Sequence, residues 1–259
     1  MNNFGKSKIE LFVFRAIDEP DLCQAYLAGH RKVLADYGIQ NVTTNNTDWL
    51  YNPFIYCTLA KFTETDEYIG GVRIQIADGK IPLPVEAAVG YMDERIHQRV
   101  MEHAVQGGIS ESCGLWTAKS VKGFGIARYL MWASVSSANQ LKFTKMLGIC
   151  GWHTLQLFSE IGFVIDKSLG NNGDFLYPTK EHIANVIGIL DAVSLKNSAK
   201  KDFDNMILLR NNLKQTITET HNNFNLVIQF NTRYTNITEG PNLTNTNYNL
   251  EEIKKICKK

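Results

Sequence analysis

At 259 residues the chain is long enough for one large domain or a domain with an appendage. A hydrophobic share of 44% beside 20% charged residues excludes a disordered composition, and a net charge of +1 gives no bulk electrostatic reason to bind nucleic acid. No apolar run approaches the roughly 18 residues of a membrane span, and the first residues carry no apolar targeting stretch. The five cysteines (Cys23, Cys57, Cys113, Cys150 and Cys257) are scattered without CxxC or Cys/His spacing. That pattern points to reduced thiols, a cytoplasmic location and no metal site. Asn-x-Thr triplets at Asn41, Asn45, Asn236 and Asn242 read as composition in an Asn- and Thr-rich chain.

Residues 8–16, Lys-Ile-Glu-Leu-Phe-Val-Phe-Arg-Ala, read as a first strand. Asp18-Glu19-Pro20-Asp21 opens a helix, and Leu22, Tyr26, Leu27 and Leu34 recur at helical spacing until Tyr37-Gly38. The polar run Asn41 to Asp48 is a loop. Phe54–Phe62 and Tyr68–Ala77 form a hairpin about Thr63-Glu64-Thr65-Asp66-Glu67. After Pro82 and Pro84, the apolar positions Ile96, Val100, Met101 and Val105 mark a helix that Gly107-Gly108 ends. Then come a strand from Glu111, a glycine turn, a helix from Ile126 to Gln140 and a strand over Phe143–Cys150. A short helix over Trp152–Ile161 closed by Gly162, a strand over Phe163–Asp166, a loop over Asn171–Asp174 and a strand over Ile183–Leu190 follow. These complete a domain of residues 1–193. Residues 194–259 form an extension rich in Asn, Thr and Lys, with a helix over Asp202–Thr220 and a strand over Phe224–Phe230. Beyond Glu239 its composition is that of a disordered end.

This order predicts an α/β (α+β) sheet with helices on both faces. If the strands from Glu111 and Phe143 run parallel, their C-terminal ends open a cleft of the kind ligands occupy. The most informative stretch lies there: Lys122-Gly123-Phe124-Gly125 turns a strand tightly into a helix. Such a turn leaves backbone N–H groups at the positive end of the helix dipole, a seat for phosphate or pyrophosphate. Arg128 stands where a dinucleotide-binding loop would carry its third glycine, and no Gly-Lys-Ser/Thr follows the turn.

At this turn the chain resembles the GNAT superfamily of N-acyltransferases. Their signature, Arg/Gln-x-x-Gly-x-Gly/Ala after the fourth strand, falls on Ser120-Val121-Lys122-Gly123-Phe124-Gly125. Ser120 replaces the Arg or Gln, and Lys122 is placed to supply the charge. The segment His153 to Phe163 is similar to the GNAT helix that ends at a Gly-Phe pair, with Phe158 where many members carry a proton-donating tyrosine. Tyr68-Ile69-Gly70-Gly71-Val72-Arg73, Leu83-Pro84-Val85-Glu86 and Glu111 resemble the acyl-homoserine-lactone synthases and related long-chain N-acyl amino acid synthases. Gly114 stands where that branch has an arginine. The resemblance implies a mixed, largely antiparallel central sheet with helices on both faces and a V-shaped opening between two parallel strands. It also implies an acyl donor, either acyl-CoA (coenzyme A) or the acyl-phosphopantetheine of acyl carrier protein, and a small amino-acid-like amine as acceptor.

Aminolysis of a thioester needs a neutral amine, a polarised carbonyl and a proton for the sulfur. Glu111 is the first choice for base, His153 is a second titratable group, and Glu86 is placed to bind the acceptor's ammonium. Arg73 can hold an acceptor carboxylate bidentately. Trp116, with Trp49, Tyr51, Phe54 and Tyr56, is a candidate lining for an acyl tunnel. Thr117 and Ala118 would pair by backbone with the pantetheine arm, and Lys122, Gly123, Phe124, Gly125, Ile126 and Ala127 would hold its phosphates. Each side chain also has a plainer reading, as a solvated strand-start glutamate, a helix-start histidine, a surface ion pair or a core aromatic. For the whole chain the alternative is a non-catalytic acyl-carrier-binding module on the same scaffold.

Overall fold

The computed structural model describes residues 6–36, 38, 47–221, 224–233 and 240–258. The loop expected over 41–46, the helix stop at Tyr37 and the triplets beginning at Asn41, Asn45 and Asn236 lie outside the described residues. In chain order the elements are β1 (Lys6–Arg15), α1 (Pro20–Asp36), β2 (Ile55–Phe62), β3 (Tyr68–Ile76), α2 (Pro84–Val89), α3 (Arg95–Val105) and β4 (Ile109–Thr117). Then follow α4 (Ile126–Ser136), α5 (Ala138–Leu141), β5 (Lys145–Gly151), α6 (Leu155–Ile161), β6 (Val164–Ile165), β7 (Asp174–Leu176) and β8 (Ile183–Ile189). The last are α7 (Lys200–Asn211), β9 (Lys214–His221), β10 (Phe224–Thr232) and α8 (Leu250–Cys257).

The strands form one sheet in the order β6-β8-β5-β4-β3-β2-β1-β10-β9, with β7 also on β8. Only β1/β10 and β4/β5 are parallel; the other neighbours are antiparallel. The expected mixed, largely antiparallel sheet is thus borne out. One face packs under α4 and α7 in a core that includes Leu130, Trp132, Met206 and Leu209. The other face has two cores. Phe14, Tyr26, Leu27 and Trp116 pack around α1, while Val85, Ile96, Val100 and Ile253 pack around α2, α3 and α8.

Two local features open this sheet in the middle. β4 and β5 pair through only three residues, Ile109 with Lys145, Ser110 with Met146 and Glu111 with Leu147. Beyond Glu111 each strand follows its outer neighbour, β4 staying on β3 as far as Thr117–Gly70 and β5 on β8 as far as Gly151–Ala184. The expected V therefore exists, with Glu111 at its vertex. The second feature is a bulge: between the pairs Gly71–Trp116 and Arg73–Cys113, β4 carries two residues, Gly114 and Leu115, opposite the single Val72. Gly114 has a left-handed φ of 58°, the backbone such a bulge uses. The Tyr26 hydroxyl of α1 donates to the Gly114 carbonyl at 2.7 Å and pins it. The extra residue brings Trp116 onto the same face as Cys113 and Glu111, against plain alternation.

Several expectations need correction. The helix expected over Asp202–Thr220 ends at Asn211, and residues 214–221 form edge strand β9. β-Branched Thr216, Ile217, Thr218 and Thr220 suit a pleated strand, and pairing with β10 outweighs weak helical preference. The helix from Ile126 breaks after Ser136. The end beyond Glu239, read as disordered, is ordered from Gly240: Tyr248 is 5% exposed and Ile253 is fully buried. The residues after 193 carry β9 and β10, which extend the main sheet beside β1. They also carry α7, whose buried Asp202 accepts two bonds from Arg128 of α4, both at 2.7 Å, and one from the Trp132 indole at 2.6 Å. Arg128 is bonded to Glu160 of α6 as well, so three helices meet on one guanidinium.

Two predictions test this frame. Gly29 of α1 faces Trp116 so closely that an added Cβ would lie 2.1 Å from the indole. Glycine to alanine in a helix ordinarily stabilises by about 1 kcal/mol; here overpacking reverses the sign, and Gly29→Ala is expected to destabilise by about 1–3 kcal/mol in urea unfolding. Asp202→Ala is expected to destabilise by about 3 kcal/mol, because it strands a half-buried arginine and a buried indole N–H. By contrast, Asp204→Ala removes only the exposed pair with Lys200 and should cost less than about 0.5 kcal/mol. Equal shifts for the two aspartates would remove the anchor.

Candidate active site

The glycine turn reaches the N-terminus of α4 in the geometry its sequence implies. Gly123 and Gly125 have φ of 86° and 74°, and no side chain caps the helix. Among the described residues the amides of Gly123, Gly125, Ile126 and Ala127 have no hydrogen-bond partner, while those of Lys122 and Phe124 donate to Lys119 and Val121 carbonyls at 3.3 and 3.1 Å. A groove of about 460 Å³ runs beside them, lined by Thr117, Ala118, Lys119, Lys122, Gly123, Gly125, Ile126, Ala127 and Leu157, among others. A Cβ on Gly123 would meet nothing within 4 Å, so the turn is open to the groove.

Phe124 is the exception in this set, since its ring packs against the core. Ala118 also differs from expectation: its amide donates to Ile69 at 2.8 Å and its carbonyl accepts from Val121 at 3.2 Å, so its backbone is already paired. Because Ala118 N–H points at β3, the backbone polar groups of Thr117 point the other way, into the gap that β5 has left.

On the α1–α2 face of the sheet, cross-strand pairing puts Arg73 opposite Cys113 and Gln75 opposite Glu111. The two strands thus place a cation, an amide, a thiol and a carboxyl in one square. Arg73 is 3% exposed; its Nε donates to Cys113 Sγ at 3.2 Å and its guanidinium lies 4.7 Å from the Trp49 ring. Arg73, Gln75, Trp49, Asn52, Asp48 and Ile55 line a cavity of about 360 Å³ together with Ile81, Pro82, Pro84, Ala87 and Ile256. Three buried donors at this cavity have no partner among the described residues: Arg73 Nη1, Asn52 Nδ2 and Trp49 Nε1. Buried donors are seldom left unpaired, and these three belong to residues that line one cavity, although the atoms themselves have almost no open surface.

Glu111, paired across the strands with cavity-lining Gln75, is fully buried and is not itself among the lining residues. Its Oε2 accepts from the Val85 amide at 2.7 Å, and its Oε1 has no partner among the described residues. Burial pushes its carboxyl up to about 8; the Val85 bond and the Arg73 charge hold it down, and Glu86 pushes it further up. A carboxyl in that range is suited to exchange a proton near neutral pH.

Other sequence candidates fall elsewhere. Glu86 is fully buried inside the first turn of α2, with Oε2 accepting from Leu83 N at 2.8 Å and Oε1 paired with His97 Nδ1 at 3.0 Å. Both oxygens are occupied, so it is a helix cap rather than an ammonium seat. His153 is exposed after β5 and lines a different hollow with Trp152, Tyr177 and His182, apart from Glu111. Trp116 is packed between Gly29, Gly71 and Tyr26 and is a core residue. The aromatic lining is likewise divided: Trp49 faces the cavity, Tyr56 is core and Tyr51 is 80% exposed. Phe158 is buried edge-on to Phe163 at 5.3 Å and donates nothing. Sequence reasoning missed Asn52 and Gln75; the only hint was that Gln75 follows Arg73 by two in a strand and so shares its face.

The sequence matches no protein-family model and no curated relative. Its fold, however, is similar to that of solved structures. FeeM, an N-acyl amino acid synthase from uncultured soil microbes, aligns with a TM-score of 0.57 at 13% identity, covering 76% of this chain and 97% of FeeM. BjaI, a CoA-dependent acyl-homoserine lactone synthase solved with SAM and isopentyl-CoA, aligns at 0.51 and 12% identity over 78% of this chain and 90% of its own. MesI, also a CoA-dependent acyl-homoserine lactone synthase, aligns at 0.50 and 9% identity over 83% and 98%. The chain therefore shares its fold with an N-acyl amino acid synthase and with acyl-homoserine lactone synthases.

Proposed function

We propose that this chain is an N-acyltransferase that moves an acyl group from a thioester donor onto the primary amine of a small, carboxylate-bearing acceptor. The observation that carries the reading is the conjunction on β4: an open groove with unpaired amides at one end, and a cavity of orphaned donors flanking a buried carboxyl at the vertex of the V. The donor groove fits coenzyme A or a carrier-protein phosphopantetheine, the kind of donor used by the CoA-dependent synthases of similar fold. In it, the amides of Gly123, Gly125, Ile126 and Ala127 bind phosphate at the helix N-terminus with Lys122 at the rim, and Thr117 offers backbone pairing in the gap.

In the acceptor cavity, Arg73 takes the carboxylate with support from Asn52 and Trp49. Glu111, reached through a bridging water, takes the proton from the ammonium, so that the neutral nitrogen can attack. The new C–N bond forms as the C–S bond breaks, the nitrogen gives its second proton to water, and the departing thiolate is protonated from the solvent-open groove, since Phe158 has no proton to give. All five cysteines are free.

The direct test follows thiol release from acetyl-CoA, long-chain acyl-CoA and acyl carrier protein across a panel of amines. Gly125→Val, which forces a β-branched residue into a left-handed φ and crowds the amides, is expected to raise the donor KM about tenfold or more. Absence of release from every donor sinks the proposal, and donor binding by calorimetry with no turnover selects the non-catalytic carrier-binding reading, which the loss of the tyrosine at position 158 favours.

The pH dependence has a defined sign. With a carboxyl near 8 in the folded protein, the deprotonated base is scarce below that value. The kcat/KM for transfer should fall about tenfold per unit as pH drops below 8, and Glu111→Gln should lower it by about 10²–10⁴ and flatten the profile. Stability gives an independent readout. The folded state keeps this proton up to about 8, whereas an unfolded glutamate loses it near about 4.3. Wild-type stability should therefore decline as pH rises between those values. Relative to wild type, Glu111→Gln should gain melting temperature from pH 5 to pH 9; a constant difference would mean that Glu111 is ionised at neutral pH.

A further inference from the structure

The acceptor cavity has one wall that comes from the far end of the chain. The orphaned donors come from residues 49–52 and from β3, whereas the rest of the lining, Asp48 and Gln75 aside, is largely apolar: Ile81 and Pro84 before and at the start of α2, Ala87 within it, and Ile256 of α8. Ile256 is an apolar side chain left 42% exposed, although Ile253 one turn earlier is fully buried against α2 and α3. Helix α8 is firmly seated. The Asn249 side chain accepts from Glu252 N at 3.3 Å, the Asn249 amide donates to the Gly79 carbonyl at 2.9 Å, and Lys258 pairs with Glu94 at 3.1 Å.

We infer that α8 is the specificity wall of the acceptor cavity, and that Ile256 contacts an apolar side chain of an α-amino acid whose carboxylate lies on Arg73. This rests on the acyl-transfer reading above and names its acceptor class. An α-amino acid carries its carboxylate and amine on one carbon, so anchoring the carboxylate at Arg73 and presenting the amine toward Glu111 leaves the side chain to the remaining wall. That wall offers no charged group from α2 or α8. An acidic side chain would lose its hydration there without compensation, while an apolar one displaces water from Ile81, Pro84, Ala87 and Ile256. The cavity, about 360 Å³, is at the small end of ligand sites, so it suits a single amino acid better than a peptide.

The experiment uses the full chain with one acyl-CoA donor and glycine, alanine, leucine, phenylalanine, aspartate and lysine as acceptors. The intact protein is expected to favour leucine or phenylalanine over aspartate by tenfold or more in kcat/KM. Ile256→Trp, which fills the cavity, should lower kcat/KM for leucine and phenylalanine at least tenfold while leaving glycine within about twofold and the donor KM unchanged. Ile256→Ala should relax the preference among apolar side chains. Leu208→Ala, at an exposed position on α7, serves as a control that leaves the ratios unaltered. The wall is overturned if Ile256 variants change all acceptors equally, which is the signature of a helix that merely braces α2, or if aspartate is used as well as leucine and phenylalanine. If the intact chain releases thiol with no acceptor at all, the acyl-transfer reading fails and the inference falls with it; selective turnover with unchanged Ile256 ratios refutes the inference alone.

Discussion

The bulge at Gly114 is the constraint on which the site depends. By placing two residues of β4 opposite one of β3, it turns the strand away from β5 and lets the parallel pairing stop at Glu111. Without it, a continuous ladder would close the gap into which Thr117 directs its backbone, and Trp116 would point to the opposite face. The bulge needs a glycine for its positive φ and an acceptor-satisfying partner for its carbonyl; Tyr26 supplies the latter from α1. Helix α1 in turn reaches close enough only because Gly29 and Gly71 carry no side chain where Trp116 lies.

Polar groups on the acceptor side are arranged against the ordinary economy of a core. An unsatisfied buried donor or acceptor costs about 1–3 kcal/mol, and Arg73, Asn52, Trp49 and Glu111 each keep one such atom. The surrounding structure has not collapsed to pair them with one another. Arg73 is held in place by a thiol and an indole face instead of a carboxylate, so its charge is not neutralised locally. Glu111 is held by a backbone amide and stays in a range where its proton is exchangeable. A direct Arg73–Glu111 ion pair would have satisfied both groups and left nothing for a ligand to do.

The extension after residue 193 shapes both sides of this site. α7 receives Arg128 on Asp202, removing that cation from the groove it lines and fixing the N-terminal turn of α4. α8 seats on α2 and α3 and adds Ile256 to the acceptor cavity. The groove's positive character is therefore left to backbone amides and exposed lysines, and the cavity's far wall to apolar carbon.

What the sequence determined by itself was local. The hairpin strands, the glycine turn at 123–125 and the arginine after two glycines are short-range signals that reappear in place, whereas the helical reading of 202–220 gave way to strand pairing after Asn211. Phe158 was legible as a side chain that cannot donate, because that depends on its chemistry alone. Tertiary structure decided which of the polar residues face a ligand. Glu86 and Glu111 are both buried glutamates near Pro84, yet one has both oxygens occupied and the other does not, a difference set by where α2 docks. Trp116 and Trp49 looked alike, and only a bulge and a close helix made one core and the other cavity lining. Ile256 and Asn52 join Arg73 from opposite ends of the chain. Such long-range juxtaposition comes from sheet register and helix packing, and no local pattern of residues encodes it.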